Sequence, residues 1–247
     1  KDLAEEYDKS INWVRGKIFA AETSRKEINP DGHVFVADAT FFGRAFGFLI
    51  YRIPAFKRNV YFKPIAYESI YEYQLGRITV EDKGFTIKAI VLDGRPGVRS
   101  LFGDIPVQMC HFHQKQIIRR HLTQNPQLTA GVELKAITDT LSVTVEKTFT
   151  DKFISWCNKW DDFLKERTVN PVTKRWFYTH KRVRSARRSI KINLPYLFTY
   201  QRYSDLNIPN TTNSLDGIFS FLKEKTNIHR GMTNQLRDKI VEFIVTN

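Results

Sequence analysis

Three acids stand where secondary structure would deliver a carboxylate to a common point. Asp38 follows the short apolar run Val34-Phe35-Val36-Ala37, Asp93 ends a second run over residues 87–92, and Asp216 opens a helix far downstream. Runs this short, with β-branched residues at Val34 and Val36, read as strands buried on both faces, so a charge at the end of one has to be matched. Two strands and a helix, each supplying an acid, suit a pair of divalent cations doing phosphodiester chemistry. Each acid also has a plainer reading. Asp93-Gly94 is a common turn pair, and with Asn213 as N-cap Asp216 falls at the third helical position, where negative charge suits the helix dipole.

A second group is Cys110-His111-Phe112-His113, in which Cys110 and His113 have C-x-x-H spacing directly after a predicted strand. A structural zinc site needs four ligands, and His111 and His121 are poorly spaced to complete one. A third group is the stretch 174–191. It carries Lys174, Arg175, Lys181, Arg182, Arg184, Arg187, Arg188 and Lys191 and no acid, interleaved with Trp176, Phe177, Tyr178 and His180. Cations with aromatics among them neutralise phosphates while the rings stack on exposed bases. The plainer reading is a solvated basic face.

The elements that must position these groups follow from the pattern along the chain. Residues 3–7 and 11–18 read as a helix, a turn and a second helix with Ser10 as N-cap. That outline matches the last two helices of a helix-turn-helix, which would offer Asn12, Arg15 and Lys17 to a groove. Residues 28–32 are a turn cluster and linker. Strands are predicted over 34–41, 46–53 (after a turn at 43–45) and 60–66 as an antiparallel meander. A helix follows over 68–81, its apolar stripe supplied by Ile70, Tyr73, Leu75 and Ile78. Then come a strand over 85–92, a short helix over 96–102, a strand over 105–109 and a basic helix over 114–122. Beyond it strand signals fade. Residues 132–141 and 149–165 have helical spacing, with Phe153, Trp156, Trp160, Phe163 and Leu164 as core stripe. A helix from Asn213 to about residue 226, a break at Gly231 and a last helix complete the chain.

Bulk composition sets limits. At 247 residues, 42% hydrophobic and 26% charged, the chain can bury a core and is not a disordered chain. A net charge of +13 makes nucleic acid the leading partner. Two cysteines, Cys110 and Cys157, without a signal-peptide pattern fit a reducing compartment. No apolar run reaches the roughly 18 residues of a membrane span. The opening Lys1, inside what reads as a helix, suggests a piece of a longer protein.

The element order βββαβαβα resembles that of the ribonuclease H-like fold, whose first and fourth strands lie side by side and would make neighbours of Asp38 and Asp93. Taken with Asp38, Asp93, Cys110-x-x-His113 and Asn210-Thr211-Thr212-Asn213-Ser214-Leu215-Asp216-Gly217, the chain resembles the Mutator-like bacterial insertion-sequence transposases of the DDE superfamily. The resemblance extends over nearly the whole sequence. It implies an α/β ribonuclease H-like core, a mixed five-stranded sheet with flanking helices, interrupted by a mainly helical insertion. The implied organisation is a helix-turn-helix remnant over 1–28, core over 33–123, insertion over 124–207 and core again over 208–247.

By the same resemblance, Asp38, Asp93 and Asp216 are the catalytic acids and hold two Mg²⁺ ions, with Mn²⁺ able to serve. They would cut double-stranded DNA at transposon ends and join it to target DNA. Cys110 and His113 would lie beside the active site and position the donor strand. Lys115, Arg119 and Arg120, with Lys174, Arg175, Trp176, Tyr178, His180, Lys181, Arg182, Arg184, Arg187 and Arg188, would grip DNA. A homodimer on DNA and a cytoplasmic, nucleoid-associated setting follow. The family pattern has Glu where this chain has Asp216, one methylene shorter, which reads as a natural variant, a decayed element or an engineered change. Glu224 stands about 12 Å further along the helix axis and is too far to substitute. Two rival readings remain: a transposase-derived DNA-binding protein without catalysis, and a nuclease with the same core.

Overall fold

A computed structural model describes residues 2–20, 28–42, 46–228 and 233–246. The turn at 43–45 and the break at Gly231 lie outside the described residues. In chain order the elements are α1 (Asp2–Glu6), α2 (Ile11–Ala20), β1 (Gly32–Phe41), β2 (Gly47–Ile53), β3 (Arg58–Ile65), α3 (Ile70–Asp82) and β4 (Thr86–Leu92). Then follow α4 (Pro96–Ser100), β5 (Val107–Met109), α5 (His111–Leu122), α6 (Thr129–Asp139), α7 (Glu146–Lys159) and α8 (Asp161–Lys165). The chain ends with β6 (Arg167–Val169), β7 (Trp176–Tyr178), α9 (Lys181–Leu197), α10 (Thr199–Arg202), α11 (Asn213–Ile228) and α12 (Asn234–Thr246). The fold is α/β, with a mixed five-stranded sheet in the order β3-β2-β1-β4-β5 and a separate β6-β7 ribbon. Among the described residues no helix is long and apolar enough to cross a membrane.

Two compact units divide the chain, residues 1–88 with 213–247, and residues 89–212. In the first, β1, β2 and β3 form the expected antiparallel meander, Asp38 facing Ile50 across the β1–β2 ladder. Every residue of β2 is buried, so this strand is covered on both faces. Helix α11 packs against β1, α12 against β3 and α2, and α3 against β2 and β3. Ser10 caps α2 as expected, accepting a hydrogen bond from Trp13 N at 3.1 Å.

Helix α3 turns a different face inward from the one its pattern suggests. Tyr73, Gly76 and Val80 are buried, whereas Ile70 and Ile78 are exposed. The reason is Gly76: a Cβ there would stand 2.4 Å from Cε2 of Tyr51, so only glycine lets the helix approach β2 this closely. The Tyr51 hydroxyl donates to the Tyr73 carbonyl across that contact, and burial pushes its pKa well up. Ser69, which the sequence reading does not single out, caps α3 by accepting from Glu72 N.

The second unit carries β4 from Ala89 onward with β5 parallel to it, Leu92 facing Met109. Its core joins Met109, Ile118 and Leu134 to Phe149, Phe153, Trp156, Leu164, Ile190 and Phe198, so α5 to α9 share one apolar interior. The α9 residues Val183, Ala186, Ile190, Asn193 and Leu197 face inward at helical spacing, which leaves the cations of this helix on its outer side. The 149–165 helix is broken at Trp160 into α7 and α8. The stretch expected to be mainly helical also contains the β6–β7 hairpin, with Val169 facing Trp176.

Gly76→Ala is expected to destabilise the protein by about 1–3 kcal/mol, the range for forcing a methyl into a filled contact. Urea unfolding followed by tyrosine fluorescence measures this. Unchanged stability would show that α3 does not depend on the close approach.

Candidate functional site

Asp38 lies on a strand whose neighbours Phe35, Val36 and Ala37 are fully buried, and it is itself only 7% exposed. Its Oδ1 accepts the Ala39 amide at 2.8 Å. Asp216 sits in the first turn of α11, the helix that packs on β1 within the same unit. Asn213 is the first helical residue of α11 rather than its cap.

Asp93, in the second unit, takes the turn geometry its sequence allows. Gly94 has φ +92°, and Asp93 Oδ1 accepts the Arg95 amide at 3.1 Å. Close by lies a residue the sequence gives no sign of, the buried Arg99. Burial lowers its pKa, while Tyr196 and Asp93 hold it up. Its guanidinium lies 4.3 Å from the centroid of the Tyr196 ring and donates to Asn193 Oδ1 at 2.7 Å. Asn193 in turn donates to Gln114 Oε1 at 2.8 Å, so a buried chain of polar groups leads from the neighbourhood of Asp93 to α5 and α9. The three acids offer only carboxylate oxygens, the hard donor set that suits Mg²⁺. No group of three His, Cys, Asp or Glu placed to hold a metal ion occurs among the described residues.

The Cys110-to-His113 motif spans a helix start. Helix α5 begins at His111, three residues earlier than predicted, which puts Cys110 at the N-cap and His113 in the first turn. Burial alone would raise the Cys110 thiol. Hydrogen bonding and the charge of His113, with a hydrogen bond to Thr212, outweigh that and leave its pKa lowered. The sulfur is 3.4 Å from Thr212 Oγ1 and accepts the Thr212 amide at 3.3 Å. His111 N donates to the Asn210 carbonyl at 2.9 Å. The C-x-x-H motif and the Asn210-Thr211-Thr212 motif, remote in sequence, are therefore one bonded cluster.

His111 turns out to be the structural member of the motif. It is fully buried, and its Nε2 donates to the Leu197 carbonyl at 2.6 Å. Its Nδ1 is buried with no hydrogen-bond partner. Burial lowers its pKa to about 4, against a smaller upward pull from the Leu197 bond and with a further lowering by Lys115.

The basic segment is laid out on the β6–β7 hairpin and α9. Lys174 and Arg175 lie in the hairpin loop, which Asn170 shapes by accepting the Val172 and Thr173 amides through its side chain. The rings expected to stack on bases already carry cations. Arg167 lies 4.1 Å over Trp176, Lys181 4.1 Å over Phe177 and Arg184 3.4 Å over Tyr178. His180 is tied into the fold, stacked on Phe163 with a ring separation of 3.6 Å and bonded to Glu166 at 2.8 Å. Trp176 alone of these rings is more than half exposed, at 52%. Arg182, on α9, helps lower the His121 pKa, after burial. On α5, Arg119 and Arg120 are exposed, whereas Lys115 is partly buried and donates to Ser142 Oγ at 3.2 Å.

The sequence matches no family model and no curated protein.

The titration of His111 sets a pH dependence. Its folded pKa is depressed from an ordinary value of about 6.5, so its contribution to stability is complete above pH 6.5 and is lost as pH falls towards 4. Between pH 7 and 4.5 the loss is expected to reach about 2–3 kcal/mol. Urea midpoints at the two pH values measure it, with His111→Gln expected to remove that share. An equal pH dependence in the variant would show that His111 is not the group responsible.

Proposed function

We propose that this chain is the catalytic region of a DDE-type DNA transposase of the Mutator-like insertion-sequence kind, built on a ribonuclease H-like core. The observation that carries the reading is the cluster in which Cys110 Sγ meets Thr212 at 3.3 Å from its amide. It ties the C-x-x-H motif to the segment that leads into the helix of the third acid. The resemblance puts those two motifs beside one active site. The α/β sheet with its helical insertion, the buried Asp38 on β1, and α11 packed on that strand support the same reading.

In this reading Asp38, Asp93 and Asp216 hold two Mg²⁺ ions. When bound, the ions supply Lewis-acid activation of the attacking water or hydroxyl and stabilise the leaving 3′ oxygen. The chain's own residues orient the site. Asp38 is held by its strand and by the Ala39 amide, and Asp93 by the Arg95 amide. Cys110 is fully buried and, contrary to expectation, does not itself touch DNA; bonded to Thr212, it braces the helix start, where His113 would place a DNA strand. Arg119, Arg120, Lys174 and Arg175, all exposed, add phosphate contacts, with a homodimer cutting both ends.

A second reading has a specific observation behind it. Asp216 is one methylene shorter than the Glu of the family pattern and would reach a shared metal about 1.5 Å late. A descendant that binds DNA without cutting it would tolerate that change.

Nicking and strand transfer on supercoiled DNA in Mg²⁺ or Mn²⁺ distinguish the readings. Asp216→Glu is expected to raise activity by about tenfold or more, the weight of 1.4 kcal/mol in a barrier. Asp38→Ala and Asp93→Ala are expected to abolish it. Binding without cleavage in both the wild type and Asp216→Glu would favour the second reading. Nicking without joining would identify a nuclease, and full activity in Asp38→Ala would overturn the site.

A further inference from the structure

The outer side of α9 and the facing side of α7 enclose a groove of about 1010 Å³ within the second unit. Its α9 wall carries Lys181, Arg184, Arg188 and Lys191, and Cys157 lies on the α7 wall. The first four recur at intervals of three, four and three residues, which places them along one stripe of the helix. The only acid lining the groove is Asp161, and it is engaged by Lys165 and, at 3.6 Å, by Arg187. Arg188 and Lys191 form no ion pair among the described residues. Four other acids of this unit are engaged away from the groove, Asp139 by Lys135, Asp151 by Lys147, Glu133 by Lys159 and Glu146 by Arg202. The groove therefore concentrates positive charge that the fold does not neutralise.

We infer that the α7–α9 groove is a track for the phosphodiester backbone of one DNA strand, with Arg188 and Lys191 as the principal phosphate contacts. This deepens the DNA reading above and rests on it only for the identity of the polymer. From residue 181 to residue 191 the stripe runs about 15 Å at 1.5 Å per residue, the axial span of about four phosphates of one strand. A DNA strand presents a full charge at every step along that length, whereas a peptide does so only where acids fall. Arg184 has a fixed place, its guanidinium stacked on Tyr178 and bonded to the Leu164 carbonyl, which orients one edge of the track in advance. Ile154, half exposed on the α7 wall, gives an apolar side suited to the sugar edges of the strand.

Cys157 makes the proposal testable without catalysis. It is partly exposed in the groove, and the chain's other cysteine, Cys110, is fully buried. Maleimide labelling of the full chain, read by intact mass with Cys157→Ser as background, reports occupancy of the groove. Duplex DNA is expected to slow labelling of the wild type by about fivefold or more at low salt, where phosphate contacts are strongest. Arg188→Glu/Lys191→Glu is expected to cancel the protection and to lower the salt slope of binding by about 1.8, the share of two phosphates. Lys147→Glu/Lys152→Glu, an equal charge change on α7 residues that do not line the groove, is expected to keep the protection. Circular dichroism melting checks that all variants fold.

DNA binding without protection of Cys157, or equal losses from both charge reversals, would overturn the groove and leave the transposase reading untouched. Protection without nicking in any divalent ion would support the groove and count against that reading. Absence of any DNA binding would overturn both. Protection by polyglutamate but not by DNA would overturn the proposal in favour of an acidic protein partner.

Discussion

The carbonyl of Leu197 closes α9, and a helix end leaves such a group without an intrahelical partner. Here it accepts two side-chain hydrogen bonds, from His111 Nε2 at 2.6 Å and from Gln108 Nε2 at 2.9 Å. One donor opens α5 and the other lies on β5, so a single orphan acceptor joins the edge of the sheet, the helix after it and the end of the basic helix. The same seam is completed by Thr199 Oγ1, which donates to the Val107 carbonyl, and by the Tyr200 amide, which donates to Gln108 Oε1. An edge strand normally offers unpaired backbone groups to whatever comes near. On β5 the Val107 carbonyl is occupied by the Thr199 hydroxyl and the Met109 carbonyl by Gln108 Nε2. The imidazolium would donate the same bond, so it is burial that keeps His111 neutral, and protonating it would place a poorly solvated charge inside the seam.

That seam explains why the cations of α9 can stand clear of the fold. The helix is anchored along its inner face by Val183, Ala186 and Ile190 and at its end through Leu197, and its polar inner residue, Asn193, is bonded to Arg99 and Gln114. Of the outer stripe, Arg184 adds to the anchoring through the Leu164 carbonyl and Tyr178, whereas Arg188 and Lys191 form no ion pair among the described residues. Elsewhere the fold uses positive charge off the outer stripe, at Arg99, buried against Tyr196, and at Arg202, paired with Glu146 at 3.0 Å. Exposed pairs of the latter kind contribute little to stability, so the unpaired cations on the outer stripe cost the fold little and remain available to a polyanion.

The meander, β4 and most helices were legible in the sequence because their apolar runs are continuous and bounded by turns. β1 shows this well: Phe35 to Ala37 are fully buried, as a run of that composition implies. The hairpin β6–β7 was not legible because all three residues of β6 are exposed and carry no alternation. The buried face of α3 was hidden because glycine has no hydropathy signal, and the fit of Gly76 against Tyr51 depends on a strand remote in the chain. For the site, Cys110 and His113 could be singled out by spacing. The bonding of Cys110 to Thr212 could not, because it is made by tertiary packing. His111 was weighed only as a poorly spaced zinc ligand, yet it is the fully buried histidine of the motif. Arg99 has no local signature at all; only its surroundings in the folded unit distinguish it from a surface arginine.

Asp216, the proposed third acid, is constrained by the helix that carries it. Leu215, Phe219 and Leu222 of α11 are buried at intervals of four and three residues, which fixes the rotation of the helix against its unit. Asp216, next in sequence to Leu215, is turned about 100° away from that stripe by helix geometry. Advancing its carboxylate by the length of the missing methylene would require α11 to slide or roll, and either motion would lift Leu215 out of a fully buried position. Burial of a leucine is worth about 1.5–3 kcal/mol, which such a motion would forfeit. The backbone of α11 is therefore a poor source of the extra reach.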